Sequence, residues 1–573
     1  MKVSDYIIGE LERRGVRHVF ELSGGMIAHL LDSLSQRQDI KVVSMRHEQG
    51  AAFAADATGR MTGIPGVAMA TSGPGATNLL TGIGSCYFDS SPAIFITGQV
   101  NRNEQKGERA IRQLGFQETD IVSMAAPITK AAFRVTTPEE VPSVLERAFS
   151  IATSGRPGPV LIDVPMDVQS ADITVPQDSK ARTVEPSKID ASVWNELFES
   201  LVESQRPLIL VGGGIRSAGA VESFRTFATK LRVPVVNSLM GVDVLPYDDP
   251  LRVGMIGSYG NRWTNLAIAR SDFLLVLGSR LDVRQTGSQT DAFKGERKIF
   301  HVDCETGEIN NRVTGCCAIV SELKEFLSAA NDAISSREFS VRKDWQNEIA
   351  SLRSSWPDTK ELPNTSGINP NVLMHELSKL SSGTAAYVVD VGQHQMWAAQ
   401  SLEVREDQRF LTSGGMGSMG FALPAAVGAA FAASPRPIVL IAGDGGFQSN
   451  IQELQTVAHH ELPIKMLVLN NGCHGMVRQF QQSYFDERYQ STLWGYSAPN
   501  FAEIAEAYKI PARTIVNADE TNEALQWLWS TPNTPILLQV MIDTYANAYP
   551  KIAFGSPISE MEPFAKPTEM EST

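Results

Sequence analysis

Asp444 in Gly443-Asp444-Gly445 and Asn471 in Asn470-Asn471 are two hard oxygen donors set 27 positions apart (471 − 444). Asp444 follows the apolar run 437–442, and Asn471 follows a second run, 463–469. Each run reads as a short buried strand. Between them, 450–459 has apolar residues at helical spacing. Two parallel strands joined by a helix would bring both donors to the carboxyl edge of a sheet, where open α/β sheets bind ligands. A carboxylate and a carboxamide suit Mg²⁺, which takes oxygen ligands and shares its shell with phosphates. Gly443, Gly445 and Gly446 let a diphosphate approach the backbone and the following helix start. A Gly-Asp-Gly tripeptide alone reads as a turn. The second strand ending in Asn-Asn moves the reading to a metal–diphosphate site.

The elements that position these residues follow from the rest of the chain. At about 150 residues per domain, 573 residues imply three or four domains. Strand patterns at 16–20, 66–70, 93–97 and 159–163 alternate with helical ones in a first unit, 1–172. A polar, Pro-containing stretch at 173–188 reads as a linker. A second unit, 189–340, has strands at 207–211, 273–277 and 298–302, and Gly212-Gly213-Gly214 follows the first of them. A polar stretch to about 366, helical and then loop-like, reads as a second linker. The third unit, 366–547, holds Asp444 and Asn471, and 548–573 is a tail with four prolines and no periodicity. The expected class is α/β, with three open parallel sheets.

Composition narrows the partners. A net charge of −14 argues against nucleic acid and anionic membrane. The charged, amphipathic start does not read as a signal peptide, and no stretch approaches the ~18 apolar residues of a membrane span. The cysteines (Cys86, Cys304, Cys316, Cys317, Cys473) have no paired spacing and read as free thiols, so a cytoplasmic location is expected.

The Asp444/Asn471 pair resembles the Mg²⁺–diphosphate motif of thiamine-diphosphate enzymes. Arg46-His47-Glu48-Gln49-Gly50-Ala51, Thr71-Ser72-Gly73-Pro74-Gly75-Ala76-Thr77-Asn78, Val391-Gly392-Gln393-His394 and the run 412–420 extend the likeness. With them, nearly the whole chain is similar to the large catalytic subunit of acetohydroxyacid (acetolactate) synthase and related pyruvate-using carboligases. The resemblance implies pyrimidine-binding, central flavin-type and diphosphate-binding domains. It implies that Glu48 activates the aminopyrimidine by a hydrogen bond to its ring nitrogen, although a lone Glu at a helix start ordinarily offsets the dipole. It also implies Mg²⁺ on Asp444, Asn471 and the Cys473 carbonyl. Gly392, Gln393, His394, Gly443, Gly445 and Gly446 would surround the diphosphate. Gly417 and Met419 would meet the pyrimidine, and Met476 the thiazolium. Gln117 and Lys130 match positions lining the reaction region, with Phe116 and Phe480 at the substrate pocket.

Gly212-Gly213-Gly214 alone is a weak dinucleotide signal. The segment 278–287, with Gly278, Arg280, Asp282 and Arg284, resembles the flavin-contacting part of the family. Two arginines suit a pyrophosphate, and Asp303 after a strand suits a ribose hydroxyl. Flavin adenine dinucleotide is therefore expected beside thiamine diphosphate and Mg²⁺. The implied assembly is a homo-oligomer, dimer or tetramer, whose site lies between subunits, and a separate regulatory subunit stays open.

The chain departs from the family in four places. Phe480 replaces a tryptophan that shapes the acceptor pocket. The stretch 101–115 is longer and more charged than usual. Ser258-Tyr259 replace Met-His, and Glu21-Leu22-Ser23 replace Gly-Tyr-Pro. The leading expectation is a carboligase that decarboxylates pyruvate and passes two carbons to a 2-keto acid or ketone. The alternatives are transfer to a larger ketone such as a nucleotide-linked ketosugar, a pyruvate-oxidase-like flavoenzyme, and a non-catalytic α/β scaffold.

Overall fold

The computed structural model describes residues 1–174, 189–335 and 337–567. Most of the expected first linker and the last six residues of the tail therefore lie outside the described residues. The apolar runs dictate the frame. Phe273–Leu277, Ile438–Gly443 and Ile464–Asn470 are buried along their whole length, as strands covered by helices on both faces must be. Three six-stranded sheets result, and every strand pair within them is parallel.

Numbered in chain order within each sheet, the first and third have the same strand order, 2-1-3-4-6-5. The middle sheet runs 3-2-1-4-5-6 from one edge to the other. In each case the order reverses beside the first strand, and the crevice at that reversal is where doubly wound sheets bind ligands. The first and third units are pressed together through equivalent helices, Glu48–Thr62 and Ala422–Ala433, each following the second strand of its sheet. Both helices are rich in Ala and Gly, so their backbones approach closely. The Thr58 hydroxyl donates to the Gly428 carbonyl at 3.2 Å, and Phe53 meets Phe421 edge-on at 5.4 Å. One apolar core spans both units.

Three local expectations change. The first strand is His18–Leu22 rather than 16–20, because the Gly15 and Val16 amides close the preceding helix on Glu12 and Leu11. The helix expected at 450–459 is shorter, its first part being a 3₁₀ turn that follows a separate helix. A helix occupies Asp444–Ser449, a single 3₁₀ turn Ile451–Glu453, and a second helix Leu454–His459. Asn450 breaks the run by turning its amide to the Gly420 carbonyl at 2.8 Å. The tail is not structureless. Lys551–Ile552 and Met561–Glu562 pair antiparallel, and Ile552, Ile558 and Met561 enter a core cluster of the middle unit. Inside that hairpin Lys551 and Glu562 form a buried ion pair at 2.8 Å.

The second linker is likewise packed. Its helix Lys343–Ser355 buries Trp345, whose indole donates to the Pro207 carbonyl at 3.1 Å. Arg262 grips Glu361 with two buried hydrogen bonds of 2.8 Å. Among the described residues no helix is long and apolar enough to cross a membrane.

Candidate cofactor and active site

Asp444 leaves the third strand of the third sheet as the first residue of its helix and is almost fully buried. Its Oδ1 accepts from the Gly445 amide at 3.0 Å, while Oδ2 has no hydrogen-bond partner. Burial lifts its carboxyl to about 6 against the pull of the Gly445 amide. A buried carboxylate oxygen without a donor is costly unless a cation or ligand meets it. Asn471 leaves the adjacent strand, and its amide nitrogen donates to Gln393 Oε1 at 3.1 Å. The Cys473 amide reaches Asn471 Oδ1 at only 3.4 Å. The Cys473 thiol is turned to the Thr544 carbonyl at 3.5 Å.

His394 is packed so tightly that a Cβ on Gly443 would lie 2.8 Å from its Nδ1. Burial drives its imidazole down to about 3, so the ring is neutral near pH 7. Its Nε2 also lacks a partner, as does the Ser418 hydroxyl. Gly417 takes a left-handed φ of 71°, and Met419, two residues on, is 41% exposed. Met476 sits in the first turn of helix Gly475–Tyr484. The unpaired polar atoms thus gather where an anion and a divalent cation were expected, and the donor set fits Mg²⁺ and a diphosphate.

Asp390 was missed in the sequence. It ends the strand Ala386–Val389 and is buried, but its oxygens are taken. The Val391, Gly420 and Ala422 amides donate to them at 2.8, 3.0 and 2.8 Å. It therefore ties its own turn to the 420–422 segment of the site. The signal was available, since Asp390-Val391-Gly392 ends an apolar run much as Gly443-Asp444-Gly445 does. Tyr496 was also missed. Its ring lies tilted against His474, with centroids 4.4 Å apart, and burial and nearby Asp444 push its phenol up.

In the first unit Glu48 opens the helix Glu48–Thr62 and is 6% exposed. Asn78 donates to its Oε2 at 2.9 Å. Gly75 lies against its Oε1, where a Cβ would stand 3.2 Å away. Gln117 has a left-handed φ of 65°, a strained value for a side-chain-bearing residue that points to a site. It packs on Gly73, where a Cβ would lie 2.9 Å from the Gln117 Cβ. Glu48, Gln117 and the turn 73–75 are thus brought together. Lys130 stands apart. Its ammonium donates to the Ser154 carbonyl at 2.6 Å, and burial lowers its pKa while Glu305 of the middle unit pulls it up.

Phe116 is 79% exposed. Phe480 belongs to an aromatic cluster, 4.6 Å from Tyr484 and 5.7 Å from Phe485. The stretch 101–115 is pinned at its base by Glu118, which accepts from the Lys106 and Leu114 amides at 2.6 and 2.8 Å. Glu21 is buried. Ser44 donates to its Oε1 at 2.5 Å and its Oε2 has no partner. The Ser258 amide donates to the Arg284 carbonyl at 2.6 Å.

The middle sheet reverses its order between Pro207–Val211 and Phe273–Leu277. A cavity of about 360 Å³ opens there, lined by Gly213, Gly214, Gly278, Arg280, Asp282, Arg284 and Asp303. Its wall is completed by Asp89 and Arg156 of the first unit and Gly414 and Gly415 of the third. Gly212 is not in the lining. It allows close packing, because a Cβ there would collide with the Gly278 carbonyl. Asp282 caps the next helix by accepting from the Arg284 amide at 2.9 Å. The cavity size and its arginines fit a dinucleotide.

Comparison with known proteins agrees with this geometry. Residues 1–124, 194–330 and 390–540 match the models for the thiamine pyrophosphate enzyme N-terminal TPP binding domain, central domain and C-terminal TPP binding domain. Acetolactate synthase 2, chloroplastic, of Nicotiana tabacum is 37% identical over 98% of this chain and 85% of its own length. The acetolactate synthase large subunit of Cyanidium caldarium is 37% identical over 97% and 95%. The acetolactate synthase isozyme 2 large subunit of Escherichia coli K12 is 36% identical over 98% and 99%. Three TPP-enzyme domains in order, and this identity over nearly the full length, place the chain in the acetolactate synthase large-subunit family of thiamine pyrophosphate enzymes.

Proposed function

We propose that this protein is a thiamine-diphosphate-dependent carboligase that decarboxylates pyruvate and transfers the two-carbon unit to a second 2-keto acid, forming acetolactate or a homologue. The observation that carries the reading is the partnerless Asp444 oxygen beside Asn471 on the ligand-binding edge of the third sheet. Asp444, Asn471 and the Cys473 carbonyl hold Mg²⁺. Gly392, Gln393, His394, Gly443, Gly445 and Gly446 take the diphosphate. Neutral His394 contributes a hydrogen bond there without adding charge. Gly417 and Met419 position the pyrimidine, and Met476 packs on the thiazolium.

When bound, thiamine diphosphate supplies the carbon nucleophile and the electron sink for decarboxylation. Glu48 keeps Asn78 on Oε2 and presents Oε1 to the pyrimidine ring nitrogen. Gln117 orients substrate beside it, and Phe116 and Phe480 bound the acceptor. Lys130, which stands apart on the Ser154 carbonyl, is given no part in this site. Flavin adenine dinucleotide occupies the central cavity, with Arg280 and Arg284 at its pyrophosphate and Asp303 at a ribose, as a bound group without net redox turnover.

Glu48 and Asp444 of one site come from different copies of the chain, so the smallest active unit is a dimer. The exposed apolar side chains of Phe116, Met416 and Met419 support this, since a second copy would cover them. Two relatives are named large subunits, which makes a separate regulatory subunit a partner to seek by co-purification. A cytoplasmic site of action accords with five free cysteines.

The test is a product assay on purified protein with thiamine diphosphate, Mg²⁺ and pyruvate, followed by mass spectrometry. Rapid acetolactate is expected from pyruvate alone. Turnover that needs an artificial electron acceptor and no carbonyl acceptor would overturn the carboligase reading. Little acetolactate, with efficient addition to a bulkier ketone, would overturn the acceptor assignment alone.

A further inference from the structure

Behind the turn that carries Glu48 lies a carboxylate from the opposite unit of the same chain. Glu453 is fully buried. Its Oε1 accepts from the Arg46 backbone amide at 3.0 Å, and its Oε2 accepts from the Thr456 hydroxyl at 2.7 Å. Gly50 makes room for it, because a Cβ there would stand 2.6 Å from Oε1. Three residues earlier, the Asn450 amide donates to Gln49 Oε1 at 3.1 Å and to the Gly420 carbonyl at 2.8 Å. Burial pushes the Glu453 carboxyl up, and Thr456 and the Arg46 amide pull it back. A buried carboxylate is costly, and an apolar side chain would fill the same space without that penalty. What the carboxylate adds is a fixed hydrogen bond to the residue two before Glu48.

The remaining restraints on that turn are local. The Met45 amide donates to the Glu21 carbonyl at 2.8 Å, and His47 caps the helix by accepting from the Gln49 amide at 3.1 Å. The direction of Glu48 is thus set jointly by its own sheet and by the 450–453 segment, which follows directly on the helix Asp444–Ser449.

We infer that Glu453 is a positioning residue for Glu48: it clamps the Arg46–Gly50 turn and ties it to the segment beside the chain's own metal-binding helix. The inference rests on Glu48 being the group that meets the cofactor pyrimidine. In a dimer whose sites each take Glu48 from one copy and Asp444 from the other, the clamp also joins the two sites through a single chain.

The readout is the rate of hydrogen–deuterium exchange at the reactive carbon of thiamine diphosphate, measured by NMR in the Mg²⁺-loaded holoenzyme, alongside kcat, the KM for pyruvate and cofactor affinity. Glu453→Ala should slow exchange and kcat on the order of 10²-fold, the loss that a small misplacement of a catalytic group produces. Cofactor affinity and KM should hold, because the Glu453 carboxylate bonds to the Arg46 amide and Thr456 and to none of the residues proposed to take the diphosphate. Glu453→Gln keeps an acceptor oxygen for Arg46 and should restore most of the rate. Gly50→Ala is the second probe. The three atoms nearest its Cβ all belong to the Glu453 side chain, with Oε1 at 2.6 Å, so it should displace the carboxylate and slow exchange about 10-fold while leaving the fold intact. Normal exchange in both Glu453→Ala and Gly50→Ala would overturn the inference, as would a Gln variant no better than Ala. Glu48→Gln serves as the anchor. If it is slow while the clamp variants are normal, the clamp alone is wrong. If it exchanges normally, the role of Glu48 fails and the clamp falls with it.

Discussion

The first and third units are built on one plan and reach opposite chemical ends. Their sheets share a strand order, and each presents the helix after its second strand to the other unit. At the third unit's edge Asp444 Oδ2, His394 Nε2 and the Ser418 hydroxyl lack partners. At the first unit's edge the key carboxylate, Glu48, is already held by Asn78. One edge is left electrostatically incomplete and so suits a cation and an anion. The other fixes one oxygen of its carboxylate with Asn78, which suits the proposed contact of the second oxygen with a cofactor ring. A shared scaffold therefore does not fix function; the side chains at the strand ends do.

The largest effect expected from this contrast is at Glu48. Glu48→Ala should lower kcat by at least about 10²-fold, the scale of lost acid–base help, with cofactor affinity nearly kept. Full activity in a steady-state assay would erase the distinction between the two edges. Asp444→Asn should do the reverse. Mg²⁺ and thiamine diphosphate affinity should fall by at least about 100-fold, the upper end for losing even an outer-shell group, and saturating cofactor should recover part of the rate. Titration by calorimetry decides, and unchanged affinity would remove Asp444 from the metal site.

A smaller effect probes the seam between the units. A side chain at Gly428 would collide with the Ala54 carbonyl, a backbone atom that cannot step aside. Gly428→Val should destabilise by about 1–3 kcal/mol, as overpacking does. Urea unfolding monitored by fluorescence would show this, and an unmoved midpoint would mean the helices are not in tight contact.

The smallest effect separates the units by pH. His375 of the third unit is held between Asp358 of the packed linker at 3.0 Å and Glu403 of its own unit at 2.8 Å. Burial alone would depress the imidazole, but the two carboxylates outweigh it and raise its pKa. A folded pKa above the unfolded value adds stability that is whole below about pH 6.5 and is lost as pH rises through the folded value. His375→Gln should flatten the stability curve over that window. Equal slopes in the two proteins would show that the clamp does not stabilise the fold.

Some of this was legible in the chain and some was not. The strands 66–70, 207–211 and 273–277 stand where their apolar runs put them. The strand at 16–20 slipped because a helix-closing turn used its first residues, and periodicity does not reveal who owns a boundary amide. The tail hairpin was invisible because strands of two residues are too short to show a period. Asp390 carried the same signature as Asp444, yet one is saturated by three amides and the other is left open. Residue type and spacing are alike in the two cases, and only the loops that fold over each can tell anchor from ligand.

By itself the sequence determined the class of the molecule and where to look for its chemistry. Apolar runs of strand length separated by helices demand parallel sheets, and a carboxylate and carboxamide at successive strand ends suit a hard cation at their edge. Tertiary structure alone decided which groups are left unpaired, which glycines admit a neighbouring side chain, and that Glu453 reaches across some 400 positions (453 − 46 = 407) to grip the Arg46 amide. Hydrogen-bond satisfaction and close packing are properties of what surrounds a residue in space, and pattern along the chain does not encode them.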